Sequence, residues 1–288
     1  MSFAASGPPP CDLCGSGSPT TRLRSPRLDG PLLECPDCGL RYVDARSVVP
    51  AWAAPSAEET TRIVGETIRR FPNLPRREEE RLNSLNARWR LDLIRRYRDS
   101  GRLLEVGCGR GDFLKLARSR FEVWGVEPDP ALAAVASLEA PVFTGLLGEL
   151  PWSEFDVAAS FHVLEHVPSP SLFLESLAGR LKPGGLLVIE TPDIGAWPYR
   201  VLGPHWRQFI PGHHFFFDRK TLTRLLSKCG FSLRSLSSVG KYASPALVLN
   251  RLSRRMPLLR RFAEHTSTLA FPINPGDIML AIAVRRPG

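Results

Sequence analysis

The sequence predicts an α/β fold, a largely parallel sheet with helices on both faces, behind a small cysteine-bearing module. Two observations carry this expectation. From Gly101 onward, short apolar runs alternate with segments of helical period, the form taken by strand–helix–strand units. Ahead of them stand two tight pairs, Cys11/Cys14 and Cys35/Cys38, in a stretch punctuated by Gly and Pro. A chain of 288 residues has room for one sizeable core and an appendage. Its 43% hydrophobic and 23% charged residues are those of a globular protein.

Taken in order, residues 1–10 are Gly, Pro and Ser rich and offer too little apolar surface to offset the entropy of ordering, so disorder is expected there. The cysteine module fills the rest of 1–50, and 51–100 reads as a helical linker or cap. Pro72 and Pro75 divide that linker into a short and a longer helix. Leu82, Leu85, Trp89, Leu93 and Tyr97 recur on one face of the longer one. Residues 101–288 form the main domain. Strands are expected at 102–106, 122–127, 142–144, 156–162 and 185–190, with helices at 112–120, 130–138 and 170–181 between them. Residues 192–217 are long, aromatic and Pro/Gly punctuated, the form of a lid or binding loop, with Trp197, Tyr199, Trp206, Phe209, Phe215 and Phe216 as its apolar lining. Asp218 caps a helix that Gly230 ends, strands at 231–239 and 277–284 close the sheet, and a helical insertion spans about 245–264.

The strongest chemical signal is LLEVGCGRGDFL at 103–114, a strand entering Gly107, Gly109 and Gly111 and then a helix. Such a turn lets main chain pass close to a ligand and aims amide groups at it. The third glycine comes one position too early for a dinucleotide fingerprint, and Asp112 stands in its slot. Glu127 ends the next strand, 20 positions after Gly107, where a carboxylate can accept hydrogen bonds from both hydroxyls of a ribose. The pair points to a nucleoside ligand.

These segments, with GVEPDP, SEFDVAASFHVLEHVPSP, LKPGGLLVIETP and HHFFFDRKTLTRLLSKCGF, resemble the class I methyltransferases dependent on S-adenosylmethionine (SAM), above all the ubiquinone-type and related small-molecule branch. The resemblance covers about residues 100–240. It implies a Rossmann-like seven-stranded sheet of order 3-2-1-4-5-7-6 with the seventh strand antiparallel. It also implies that Glu105, Gly107, Gly109 and Gly111 surround the methionine end of SAM, that Glu127 holds the ribose, and that Phe161 and His162 line the pocket. Leu146 stands where relatives often carry an acidic residue near the adenine. Ubiquinone-type enzymes often show E-x-x-E-H as a metal site; His162, Glu165 and His166 replace it here and are read as loop contacts.

The Cys pairs, separated by twenty residues and each followed by a glycine, have the spacing of a zinc ribbon. With Cys11, Cys14, Cys35 and Cys38 filling all four positions of Zn²⁺, the metal is expected to be structural. Methyl transfer to an oxygen or nitrogen can need a proton acceptor, and histidine suits neutral pH. His213, the histidine of the family's H-x-x-x-F segment, is the first candidate, with His162 and His214 behind it.

The expected function is SAM-dependent methyl transfer to a small molecule such as a sugar, lipid precursor or secondary metabolite. An RNA methyltransferase gripping nucleic acid with its ribbon, and a catalytically silent SAM-binding scaffold, are the alternatives. The net charge of +9 invites the RNA reading, but only five of the 38 basic residues are lysine, and that arginine bias matches a GC-rich coding composition as well. No N/D-P-P-Y/F segment follows the fourth strand and no Pro-Cys nucleophile is present in the main domain, so no nucleic-acid partner is favoured. The Arg-rich insertion, with Arg251, Arg254, Arg255, Arg260 and Arg261, is amphipathic and could touch a membrane or an anionic carrier. MSFAASGPPP has no signal-peptide form, so a cytoplasmic location is expected.

Overall fold

The computed structural model describes residues 10–43, 76–253 and 269–287. Strands are β1 (Thr20–Leu23), β2 (Leu32–Glu34), β3 (Arg41–Val43), β4 (Arg102–Val106), β5 (Glu122–Glu127), β6 (Val142–Thr144), β7 (Phe155–Phe161), β8 (Leu181–Pro192), β9 (Phe215–Phe216), β10 (Phe231–Ser238), β11 (Lys241–Ala243), β12 (Phe271–Ile273) and β13 (Ile278–Arg285). Helices are α1 (Arg76–Arg95), α2 (Asp112–Ala117), α3 (Pro130–Ala136), α4 (Pro170–Arg180), α5 (Trp197–Leu202), α6 (Arg219–Lys228) and α7 (Pro245–Ser253). The expected short helix before Pro72 and most of the Arg-rich insertion lie outside the described residues, as does the Gly/Pro-rich start.

The seven-stranded sheet has the order β10-β13-β8-β7-β4-β5-β6. Only β13 runs against its neighbours, antiparallel to both β8 and β10. This is the order and the hand of the seventh strand that the methyltransferase resemblance implies.

The described residues divide into two units. One contains 10–43, 146–239 and 276–287; the other contains 76–145, 240–253 and 269–275. In the first, β8 carries the unbroken run Leu186–Leu187–Val188–Ile189, buried on both faces between β7 and β13. Leu174 and Leu177 of α4 and Leu222, Leu225 and Leu226 of α6 are buried in the same unit. Asp218 caps α6 reciprocally with Thr221, accepting from Thr221 N at 2.8 Å while the Thr221 hydroxyl accepts from Asp218 N at 2.9 Å. Gly230, at φ +86, ends the turn beyond α6.

In the second unit β4 and β5 run parallel, with Leu103 and Leu104 buried, and β6 adds to β5. Helix α1 packs against α2. The buried face of α1 is Leu82, Ala87, Leu91 and Ile94, rotated from the stripe the sequence suggests. Two apolar stripes adjoin on this helix, and the one ending at Ile94 is the deeper. Tyr97 falls in the turn after the helix ends and is exposed. Leu82 joins Ala243, Ala246 and Leu247 in a separate apolar cluster.

Packing around β5 is tight enough to test. A Cβ at Gly125 would lie 2.8 Å from Cys108 Sγ and 2.9 Å from Leu114 Cδ1. Gly125→Ala is expected to lower the unfolding free energy by about 1–3 kcal/mol through overpacking, measured by urea denaturation.

Candidate functional site

The glycine turn is built from the end of β4 and the start of α2. Gly107, Gly109 and Gly111 all have positive φ, at +74, +55 and +80. At Gly111 a side chain would press on Ala136 of α3 at 3.1 Å, whereas at Gly109 a Cβ would meet nothing within 4 Å. The turn thus packs closely on one side and keeps open room at its tip. Glu127, at the end of β5, holds that tip: its Oε2 accepts from Gly109 N at 2.8 Å and its Oε1 from Asp129 N at 3.1 Å. Burial raises the Glu127 pKa against these two amide bonds. Deeper in, Glu105 on β4 is buried, and its Oε2 has no hydrogen-bond partner among the described residues. Burial pushes the Glu105 pKa well up, and the nearby charges of Asp112 and Glu127 add to the rise while Arg90 opposes it.

Carboxyl groups around one glycine turn offer acceptor oxygens that suit a hydrogen-bond-donating or positively charged ligand better than a pyrophosphate. An orphaned buried carboxyl oxygen is a site waiting for a donor. Glu105, Gly107, Gly109, Gly111 and Glu127 all lie in one unit.

The remaining candidates lie in the other unit. His162 follows β7 in a left-handed conformation, φ +59, rare for a residue with a side chain. Its ring sits between two buried carboxylates, with Nδ1 3.1 Å from Glu165 Oε1 and Nε2 2.8 Å from Glu190 Oε1. Thr191 Oγ1 donates to the other oxygen of Glu165 at 2.9 Å. Complete burial would raise the Glu165 pKa, but the His162 hydrogen bond and charge outweigh it and hold it at about 2. The Glu165 carbonyl accepts from His214 N at 2.8 Å and Phe215 N at 3.2 Å, which ties the H-x-x-x-F segment to the same residue.

His213 is 4% exposed, stands edge-on to the His166 ring with centroids 4.5 Å apart, and its Nδ1 has no partner among the described residues. Burial, reinforced by His166, lowers its pKa to about 3, so the ring is neutral at ordinary pH. His214 is buried, also with an unpartnered Nδ1, and burial lowers its pKa too. His166 Nδ1 donates to the Gly212 carbonyl at 2.9 Å. Glu165, His166 and His213 offer ligand atoms within 4.8 Å of one another, so these three could hold a metal ion. Phe161 is buried at the end of β7, and Leu146 is half exposed at a turn where Glu149 Oε2 accepts its N–H at 3.0 Å.

The four cysteines converge. Cys11 and Cys38 sulfurs are 3.4 Å apart, as are those of Cys14 and Cys35, and all four lie within 4.8 Å of one another without a disulfide. Tetrahedral Zn–S bonds of about 2.3 Å would put the sulfurs roughly 3.8 Å apart, so the donor set fits zinc. Each pair sits on a matching turn: Gly15 N donates to the Cys11 carbonyl and Gly39 N to the Cys35 carbonyl, with both glycines near φ +78.

A family model described as a methyltransferase domain matches residues 78–236, more than half of the chain. The chain belongs to this methyltransferase-domain family. A ubiquinone biosynthesis O-methyltransferase of Xylella fastidiosa (strain M23) is 34% identical over 162 residues, covering 50% of this chain and 65% of that protein. A ubiquinone biosynthesis O-methyltransferase of Paramagnetospirillum magneticum is 37% identical over 116 residues, covering 36% of this chain and 46% of that protein. The chain thus spans less than two thirds of these relatives' length. A crystal structure of a SAM-dependent methyltransferase, possible histamine N-methyltransferase, from Thermotoga maritima aligns with a TM-score of 0.54 at 21% identity, over 78% of this chain and 97% of that one. At that identity the likeness establishes the fold alone. Among the described residues no helix is long and apolar enough to cross a membrane.

The sequence does not single out Glu190, Thr191, Asp12 or Asp29, because their partners are set by the fold: Glu190 meets His162, Thr191 meets Glu165, and Asp12 and Asp29 meet Ser171 and Gly212 more than 150 residues away in the chain.

The His213 shift predicts a pH dependence of stability. An unfolded chain takes up a proton near 6.5 that the folded one refuses down to about 3, so lowering the pH favours unfolding. Between pH 7.5 and 5.5 the wild type is expected to lose about 1.4 kcal/mol more than His213→Asn in urea denaturation.

Proposed function

We propose that the chain catalyses SAM-dependent methyl transfer to an oxygen or nitrogen of a small-molecule acceptor. The observation that carries the reading is the glycine turn: Gly109 N held by Glu127 beside the orphaned buried carboxyl oxygen of Glu105. SAM supplies a methyl group already activated on a sulfonium. What the chain adds is placement and exclusion of water. Glu127 keeps a lone pair on each oxygen for the ribose hydroxyls, and Glu105 accepts from the ammonium of the methionine part. The open tip at Gly109 leaves room for the ligand to lie against the main chain.

For the acceptor, His213 offers the most suitable chemistry. Its neutral ring and unpartnered Nδ1 can accept a hydrogen bond from the acceptor's O–H or N–H. A pKa near 3 makes it a weak base, so its part is to orient the acceptor and share its proton as the methyl–acceptor bond forms. His162 is less suited to take a proton, because both ring nitrogens already meet carboxylates. His214 stands next in line. Zn²⁺ held by Cys11, Cys14, Cys35 and Cys38 is structural, since four thiolates leave no position for substrate. The ubiquinone O-methyltransferase relatives support a small-molecule acceptor, and so does the use of ribbon strand β3 as a partner for β9.

Calorimetric titration with SAM and S-adenosylhomocysteine tests this first. Micromolar-range binding to the wild type is expected, weakened by roughly 10–100-fold in Glu127→Ala and abolished in Gly109→Arg. A folded, zinc-loaded wild type that binds neither ligand would overturn the assignment. Binding without turnover on any acceptor would leave the silent scaffold.

A further inference from the structure

The ribbon is woven into the histidine side of its unit. Its second cysteine pair leads directly into β3, with Cys35 N donating to the Leu40 carbonyl at 2.9 Å and Leu40 N approaching Cys38 Sγ at 3.5 Å. Strand β3 is then an interior strand: β2 pairs along one edge, and on the other Arg41 faces Phe216 and Tyr42 faces Phe215. Val43 N donates to the His214 carbonyl at 2.8 Å. Gly212, at φ +82, turns the chain into His213, and its N–H donates to Asp29 Oδ2 at 2.9 Å. Ser25 Oγ donates to the Pro204 carbonyl at 2.6 Å. The main chain that carries His213 and His214 therefore lies between the Glu165 carbonyl and the ribbon.

Side chains repeat the pattern. Leu32 and Val43 of the ribbon share one apolar cluster with Ile194, Trp206, Phe209 and Phe216. The first cysteine pair is docked as well: the Asp12 carboxylate accepts from Ser171 N at 2.8 Å and from the hydroxyls of Ser169 and Ser171 at 2.6 and 3.0 Å. This places Asp12 at the start of α4, just beyond the loop of His162, Glu165 and His166. A segment as short as the ribbon cannot hold such a shape by its own core, so its fold depends on the metal at the four sulfurs.

We propose that the metal-folded ribbon is a positioning element for the acceptor side: through β3 and Asp29 it fixes the main chain of 212–216, and with it the direction in which His213 and His214 present their rings. The inference rests on the reading of this side as the acceptor site. Asp29 is a positioning residue here, acting on the histidines through the Gly212 amide. The glycine turn and Glu127 belong to the other unit, so metal loss should loosen one unit and spare the other.

Hydrogen exchange read by mass spectrometry on the full chain tests this. It compares zinc-loaded wild type, wild type stripped by a chelator with metal content measured, and zinc-loaded Asp29→Ala and Asp29→Asn. Stripping should speed exchange in 206–217 and 164–172 by at least about tenfold while 103–127 keeps its rates. Asp29→Ala should keep its zinc and speed exchange around Gly212 only, and Asp29→Asn, which retains an acceptor oxygen, should restore it. Unchanged exchange in 206–217 after complete metal loss overturns the proposal. So does acceleration of equal size in 103–127, because the ribbon would then be a general stabiliser. The exchange comparison needs neither cofactor nor acceptor. Failure of SAM to bind the loaded wild type would count against the methyl-transfer reading and leave this result to stand or fall by itself.

Discussion

A carboxylate taken wholly out of water must be met from several directions, and Glu165 is such a group. Its two oxygens receive His162 from the end of β7 and Thr191 from β8, and its carbonyl receives two amides from the H-x-x-x-F segment. One residue thereby ties two sheet strands to the segment bearing His213 and His214. The left-handed conformation of His162 follows from the same demand, because the ring has to reach both Glu165 and Glu190. Strain of this kind, of order 1–3 kcal/mol, persists where the surroundings over-determine it. The loop after β7 is thereby held by contacts on several sides.

The glycine turn obeys the opposite logic. Among the described residues Glu105 Oε2 has no partner and Glu127 meets main-chain amides, so this side keeps unsatisfied acceptor oxygens in a chain whose net charge is +9. Total charge therefore says nothing about the site. A neutral-to-cationic nucleoside ligand relieves the carboxyl groups, whereas a phosphate would add to their repulsion.

Much of this was legible in the sequence. Strands β4, β5 and β6 begin and end where periodicity puts them, and the cysteine spacing located all four sulfurs now within reach of one ion. Local signals sufficed because each of these features is made by neighbours in the chain. What could not be read is non-local. Trp206, Phe209 and Phe216, expected to line a lid, are fully buried core, while Trp197 alone of that aromatic group stands mostly exposed. A run of aromatics looks the same in either role until its covering partner is known. The cover here is Leu32 and Val43, more than 160 residues earlier in the chain. The pairing of β3 with β9 has no local signature either, since two phenylalanines are a strand only when another strand supplies the hydrogen bonds.

That dependence explains why a ribbon of this kind suits the place it occupies. Strand β9 is two residues long, too short to fix its own direction, yet it precedes Asp218, the cap of α6, and follows the two histidines. A disordered or purely apolar cover could shield its phenylalanines but could not set its register. A metal-clamped strand can, because the cysteine turn that opens β3 leaves the hydrogen-bonding groups of Arg41–Val43 in a fixed array. The same rigidity lets Asp12 and Asp29 accept main-chain amides at the start of α4 and at Gly212, two points that a flexible arm would reach only at an entropic cost. The ribbon is thus a second framework for the segment bearing His213 and His214, complementary to the sheet that carries Glu165.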